Sequence, residues 1–383
     1  MKHIDHRLLE QLYNKQEHVN GSIYISPARE DPEAREIKNR IKLKNSIKSI
    51  KSELMQLHFS EEAADKFVQP AYQIMEDSLL LRNLWSGLVI YFNQHTFDYF
   101  MIPDCWSDFA YVGEEFYLLP LLPPIYHNKS FYILSLDLQG VRLFHADRFN
   151  INEISVKDFI PETMEEAIGF DFKDRIFHHK SGAGSGGKGV FHGHAMGDEE
   201  KKKERRKFLE HVNNGLMKIL HAKDEPLIVA SEEYLFATFR EICDYKYILE
   251  ESISHQPGDG WIDHLHEQGW NVMEKQMHRH QEEKIKTFRE THSKHKARSL
   301  NEIVPGAIQG KVNTLFVNKE TYKWGKINAH NLNVHFHDKK QPGDKEMLNY
   351  TALETFFKGG ELHFLSSDQM PPESDKLCAI YRF

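Results

Sequence analysis

The chain has 383 residues, enough for two or three domains, and 40% of them are apolar, enough to build real cores. Its formal net charge is −8. Cys105, Cys243 and Cys378 are far apart, odd in number and form no CxxC pair, which excludes a disulfide framework or a zinc ribbon and fits a reducing cytosol. The opening MKHIDHRLLEQ has no apolar signal core, and no run approaches the ~18 apolar residues of a membrane span. Tyr117 to Ile125 comes nearest and is broken by three prolines. These features predict a soluble, cytoplasmic protein with no membrane partner.

Residues 1–127 read as an α+β domain. SIYIS, Ser22 to Ser26, predicts a strand, broken by Pro27 to Asp31. Ile37, Ile41, Ile47, Ile50, Leu54 and Leu57 then recur near helical spacing and predict a packed stripe. The lysines between them read as a solvated face rather than an RNA site. Trp85 to Phe92 and Phe97 to Ile102 predict a strand pair, and LLPLLPP, Leu118 to Pro124, the exit from the domain.

Residues 128–260 read as an α/β domain. Phe131 to Asp137 and Val141 to His145 flank Leu138-Gln139-Gly140, a hairpin signal, and Asn152 to Val156 adds a strand. Pro226 to Ser231 predicts a buried strand and Glu232 to Cys243 a helix. Between them, seven of the sixteen residues from Gly182 to Gly197 are glycine. Such a run loses too much chain entropy to hold one shape unaided and predicts a mobile loop. A helix is expected from Asp198, an N-cap followed by Glu199 and Glu200, with Phe208, Val212, Leu216 and Ile219 as its buried stripe. No apolar residue lies between Asp198 and Lys207. At ~1.5 Å per residue, roughly 15 Å of helix could therefore project beyond its domain, with the Gly-rich loop at its tip.

From Lys173 to Lys223 there are 12 Lys and Arg against 6 Asp and Glu. A basic tip on an acidic protein suggests a polyanion such as RNA phosphate, with Lys180, Lys188, Lys201, Lys202, Lys203, Arg205, Arg206 and Lys207 as the contacts. The competing reading is a solvated helix beside an ordinary loop. A nucleotide-binding reading also stands, because Gly182 to Lys188 fits the first seven positions of a phosphate-binding loop. Gly189 then occupies the position where Ser or Thr should ligate Mg²⁺, and no helix is predicted to start at once.

The last segment, 261–383, opens with a polar helical stretch to about Arg298, with Ile262, Leu265, Met273, Met277, Ile285 and Phe288 broadly on one side. Val312 to Val317 predicts a strand and Met347 to Lys358 a helix ended by Gly359-Gly360. Glu361 to Leu365 and Leu377 to Phe383 complete the strands. Of the 24 histidines, eight form His-x-His pairs: 192/194, 264/266, 278/280 and 335/337. No pair has an evident carboxylate or cysteine set beside it in sequence, so no metal and no cofactor is assigned. Cys243 and Cys378 read as core residues.

A Gly-Gly loop on a basic helix within an α/β domain resembles the middle domain of archaeo-eukaryotic release factors, and more closely the bacterial archaeo-eukaryotic release factor-like (baeRF) proteins. GKVNTLFV, the Trp324-Gly325 pair, FFKGGELHFL and the closing CAIYRF are similar to baeRF C-terminal sequence. The resemblance implies an α/β fold of three domains: an N-terminal α+β domain (1–127), a release-factor-like middle domain with a protruding Gly-rich loop (128–260) and a C-terminal α/β/α sandwich (261–383). It implies a ribosomal partner (rRNA and tRNA) and a protein partner on the C-terminal domain. In release factors the loop reads Gly-Gly-Gln, and a backbone N–H beside the Gln helps stabilise the oxyanion formed when water attacks the peptidyl-tRNA ester. Here Gly186 and Gly187 match, but Lys188 stands in place of Gln. Gly186, Gly187 and Lys188 are the candidate catalytic loop, and Lys188 could instead bind phosphate. Pelota-type rescue proteins share the architecture and act without hydrolysing the ester. Four readings remain open: a non-hydrolytic ribosome factor, a peptidyl-tRNA hydrolase, a nucleotide-binding protein, and a protein-interaction scaffold.

Overall fold

The computed structural model describes all residues except 1–3, 16, 104–106, 162, 169–192, 255–259 and 373–374, and the backbone alone at 127, 168 and 193–198. The chain forms two compact units, residues 1–127 with 280–383, and residues 128–279. Among the described residues the strands make three four-stranded sheets and one of three strands.

The first unit begins with α1 (His6–Asn14), β1 (Asn20–Ile25), α2 (Pro32–Gln56), α3 (Glu61–Glu76), α4 (Ser78–Arg82), β2 (Gly87–Phe92), β3 (Phe97–Ile102), β4 (Phe109–Gly113) and α5 (Leu122–His127). Its antiparallel sheet runs β3-β2-β1-β4. α2 starts where local chemistry dictates: Asp31 accepts the N–H groups of Glu33 and Ala34, and Pro32 occupies the first turn.

The buried face of α2 departs from the expected stripe. Ile37 and Ile41 are 60% and 52% exposed, while Arg35 and Asn39 are buried. Arg35 donates to the carbonyls of Ala28, Glu30 and Arg82, and Asn39 bridges the Ala28 N–H and the Leu81 carbonyl. These polar groups satisfy backbone atoms that no isoleucine could, so hydrogen bonding sets the helix rotation here.

The second unit holds β5 (Phe131–Asp137), β6 (Gly140–Ala146), β7 (Ile151–Ile154), α6 (Met164–Ile168), α7 (Gly193–Leu220), β8 (Leu227–Ala230), α8 (Glu233–Ile242) and most of α9 (Trp261–Glu290). The sheet runs β7-β6-β5-β8, with β8 parallel to β5 and the other pairs antiparallel. Alternation along β5 assigns its two faces. Tyr132, Leu134 and Leu136 pack with Phe208, Leu209, Val212, Leu216 and Leu220 of α7 and with Phe236 and Phe239 of α8. Phe131 and Ile133 pack with Leu265, Val272 and Met273 of α9. α9 comes close enough for a Cβ on Gly269 to fall 2.8 Å from the Ile133 Cδ1.

The first unit resumes with β9 (Lys296–Ala297), α10 (Leu300–Ile308), β10 (Val312–Asn318), β11 (Trp324–Ile327), β12 (Val334–His337), β13 (Lys345–Glu346), α11 (Met347–Phe357), β14 (Glu361–Leu365) and β15 (Leu377–Tyr381). One sheet runs β14-β10-β15-β9, with β14 parallel to β10, and the small one runs β12-β11-β13. A single core joins Tyr24, Tyr91, Phe100 and Tyr111 of the first sheet to Leu315, Val317, Leu362 and Leu377 of the second. On the other face of the second sheet, Phe316 and Cys378 pack with Phe288 near the end of α9. The fold is thus mixed α/β with several sheets, as expected.

Candidate nucleic-acid interface

α7 carries the basic cluster, and its burial changes abruptly along its length. Glu199, Glu200, Lys201, Lys202 and Lys203 are exposed, Glu204 and Arg205 are half-buried, and Arg206 and Lys207 are exposed. From Phe208 onward one face enters the core. The buried stripe is Phe208, Leu209, Val212, Leu216 and Leu220, whereas Ile219 is only half-buried. The helix begins at Gly193, five residues before the expected cap, so Asp198 lies within it. Ala195 and Met196 are good helix formers and extend it backwards.

Two polar contacts and one close approach hold the lower part of α7 in place. Buried Asn213 donates to Asp244 Oδ2 at 2.8 Å and accepts the Asp244 N–H at 3.0 Å. At Gly215 a Cβ would fall 2.2 Å from the carbonyl oxygen of Phe159, so only glycine fits.

The basic residues are not equivalent. The Arg205 guanidinium carbon lies 4.7 Å from the centroid of the Tyr234 ring on α8. Arg206 pairs with Glu210 at 3.3 Å and Glu241 at 3.7 Å, contacts half in solvent and worth little. Lys202, Lys203 and Lys207 have no hydrogen-bond or ion-pair partner among the described residues. Lys180, Gly186, Gly187 and Lys188 lie outside the described residues. Sequence reading missed Tyr234, which is 43% exposed. Its signal was an aromatic residue on the polar side of α8, but the contact with Arg205 depends on how the two helices pack.

Two histidine pairs acquire carboxylates through folding that lie far off or unnoticed in sequence. His337 Nδ1 lies 2.9 Å from Oδ2 of Asp344, whose side chain is fully buried. His280 Nε2 lies 2.6 Å from Glu361 Oε1, with His363 beside them. The absence of a neighbouring carboxylate, noted from sequence, therefore does not hold in space. Burial raises the thiol pKa of both Cys243 and Cys378, as suits core residues. Among the described residues no helix is long and apolar enough to cross a membrane.

The β7-β6-β5-β8 sheet thus carries the long basic helix α7 on one face and α9 on the other. Residues 131–275 match the family model described as Bacterial archaeo-eukaryotic release factor family 7. The matched stretch runs from β5 to the middle of α9 and contains the basic start of α7. Three solved structures are also similar to the chain. Archaeal translation termination factor aRF1 aligns over 98% of this chain and 96% of its own, at 16% identity and a TM-score of 0.24. Archaeoglobus fulgidus Pelota aligns over 79% and 81%, at 11% identity and 0.32. S. cerevisiae Dom34, a translation termination-like factor, aligns over 81% of each chain, at 11% identity and 0.35. No curated protein matches the chain.

Proposed function

We propose that this protein acts on the ribosome as a release-factor-like factor in termination, rescue or regulation of translation. Its basic α7 and the Gly186-Gly187-Lys188 segment would meet rRNA or tRNA. The observation that carries this reading is the exposed run Lys201–Lys203 with Arg206 and Lys207, inside the region that matches a release factor family. Among them Lys202, Lys203 and Lys207 have no hydrogen-bond or ion-pair partner among the described residues, which suits phosphate that arrives from outside. In this reading residues 1–127, 128–260 and 261–383 act as three functional domains, the last offering a surface to a protein partner, and the protein works in the cytoplasm.

The test is ribosome co-sedimentation across a salt series. It compares wild type with a variant in which Lys201, Lys202, Lys203, Arg205 and Arg206 are neutralised. Wild type should bind and lose affinity steeply as salt rises, and the variant should bind more weakly at every salt. Binding that is insensitive to salt and to the substitutions would point to a protein-interaction scaffold. Ester hydrolysis is the second reading, supported by the Gly186-Gly187 pair. A release assay on loaded ribosomes decides it: without the Gln, native release should be inefficient and rise in Lys188→Gln.

A further inference from the structure

The first unit brings together two imidazoles and a carboxylate that the nucleic-acid reading leaves unused. His280 stands on α9, and Glu361 and His363 stand on β14, an edge strand. Residues two apart on a strand share a face, so Glu361 and His363 present their side chains together. His280 Nε2 is 2.6 Å from Glu361 Oε1, and His363 Nε2 is 3.2 Å from the same oxygen. All three donor atoms lie within 4.8 Å of one another.

His363 makes this more than an ion pair. It is 7% exposed, and its ring stacks on Phe316 with centroids 5.4 Å apart. Its Nε2 is buried without a hydrogen-bond partner, because the close approach to Glu361 lacks hydrogen-bond geometry. An imidazole nitrogen left in that state is costly, and a ligand that takes its lone pair removes the cost. Lys284, one turn along α9 from His280, holds the other carboxylate oxygen, Oε2, at 2.7 Å. That contact orients the carboxylate and leaves Oε1 facing the imidazoles.

We propose that His280 Nε2, Glu361 Oε1 and His363 Nε2 bind one divalent first-row transition ion, with Zn²⁺ the best match. Two imidazoles and one carboxylate form a mixed N/O set that suits Zn²⁺ better than Mg²⁺ or Ca²⁺. Ligand atoms around tetrahedral Zn²⁺ sit about 3.3 Å apart, so no donor pair need close by more than ~1.5 Å, and the 2.6 Å contact of His280 with Glu361 opens slightly, both within reach of side-chain rotation. His280 exchanges its contact with Oε1 for the ion, and water completes the coordination. The ion fastens the end of α9 to the edge strand of the C-terminal sheet, so its role is structural.

The experiment uses the full chain, freed of metal by a chelator and titrated with Zn²⁺ alone by calorimetry. A parallel Co²⁺ titration follows the visible absorption bands. With 24 histidines in the chain, the variants decide where metal binds. We expect one tight equivalent of Zn²⁺, a rise in Tm, and Co²⁺ bands of four- or five-coordinate intensity. His280→Ala, at a partly exposed position, and His363→Asn should each weaken binding at least tenfold and abolish the bands. His335→Ala, on β12 and outside the cluster, should change neither. No tight equivalent, or affinity unchanged in both cluster variants while circular dichroism shows them folded, would overturn the proposal.

Discussion

The guanidinium of Arg205 sits 4.7 Å from the ring of Tyr234, so one member of the basic cluster already has a place inside the fold. Each phosphate-binding lysine contributes about one unit to the slope of log affinity against log salt. Neutralising Lys202, Lys203 and Lys207 together should therefore lower the ribosome-binding slope by about 2–3. Arg205→Gln should change the slope by well under ~1. Its cost should appear instead as lost stability of about 0.5–1 kcal/mol, the worth of an exposed cation–π contact. Salt-series co-sedimentation and thermal denaturation of the two variants separate the roles.

Gly215 sets how closely α7 approaches the segment before α6. Replacing it with Ala gains up to about 1 kcal/mol of helix propensity. The added Cβ, however, would fall 2.2 Å from the Phe159 carbonyl oxygen, a backbone atom that cannot swing aside. Overpacking of that kind costs about 1–3 kcal/mol, so the net change should be destabilising. Gly140→Ala is the control: nothing lies within 4 Å of its Cβ position, and its Tm should stay near wild type. Thermal melts of both variants test the difference, and a stabilised Gly215→Ala would show that α7 can move.

What could be read from sequence depended on range. The Leu138-Gln139-Gly140 turn and the glycine cap after α11 are local, and both lie where expected, Gly359 with φ +71°. The α2 stripe failed at Ile37 and Ile41 because Arg35 and Asn39 are buried to satisfy carbonyl and N–H groups up to 47 residues away. His280 and Glu361 are 81 residues apart, and neither local pattern points to the other. The basic face of α7 was legible as charge, but its division into engaged and unengaged cations needed α8 packed beside it.

Asn349 ties the exit of the first sheet to α11. Its Oδ1 accepts the N–H groups of both Leu118 and Leu119 at 2.8 Å, and it is 2% exposed. Asn349→Ala leaves two buried donors without a partner, at a cost of about 2–4 kcal/mol. Asn349→Leu restores the volume but not the acceptor. If hydrogen bonding is the cause, Leu should be about as destabilised as Ala by denaturant midpoint. Rescue by Leu would assign the effect to packing.

Glu346 gives the fold a pH dependence of unusual sign for a carboxylate. Burial pushes its carboxyl up to about 7, against the backbone N–H groups of Lys323, Asn349 and Leu348, which it accepts at 2.8, 2.7 and 3.2 Å. The unfolded chain has the ordinary value of 4.5, so the folded state holds this proton more tightly. The contribution of Glu346 to stability is therefore greatest below pH ~4.5, declines as pH rises, and is fully lost above ~7. A shift of that size corresponds to about 3 kcal/mol. Glu346→Gln cannot titrate, so its stability relative to wild type should improve between pH 4.5 and 7.5. Denaturant midpoints of the two proteins at three pH values measure this, and the opposite trend would mean that the three N–H donors outweigh burial.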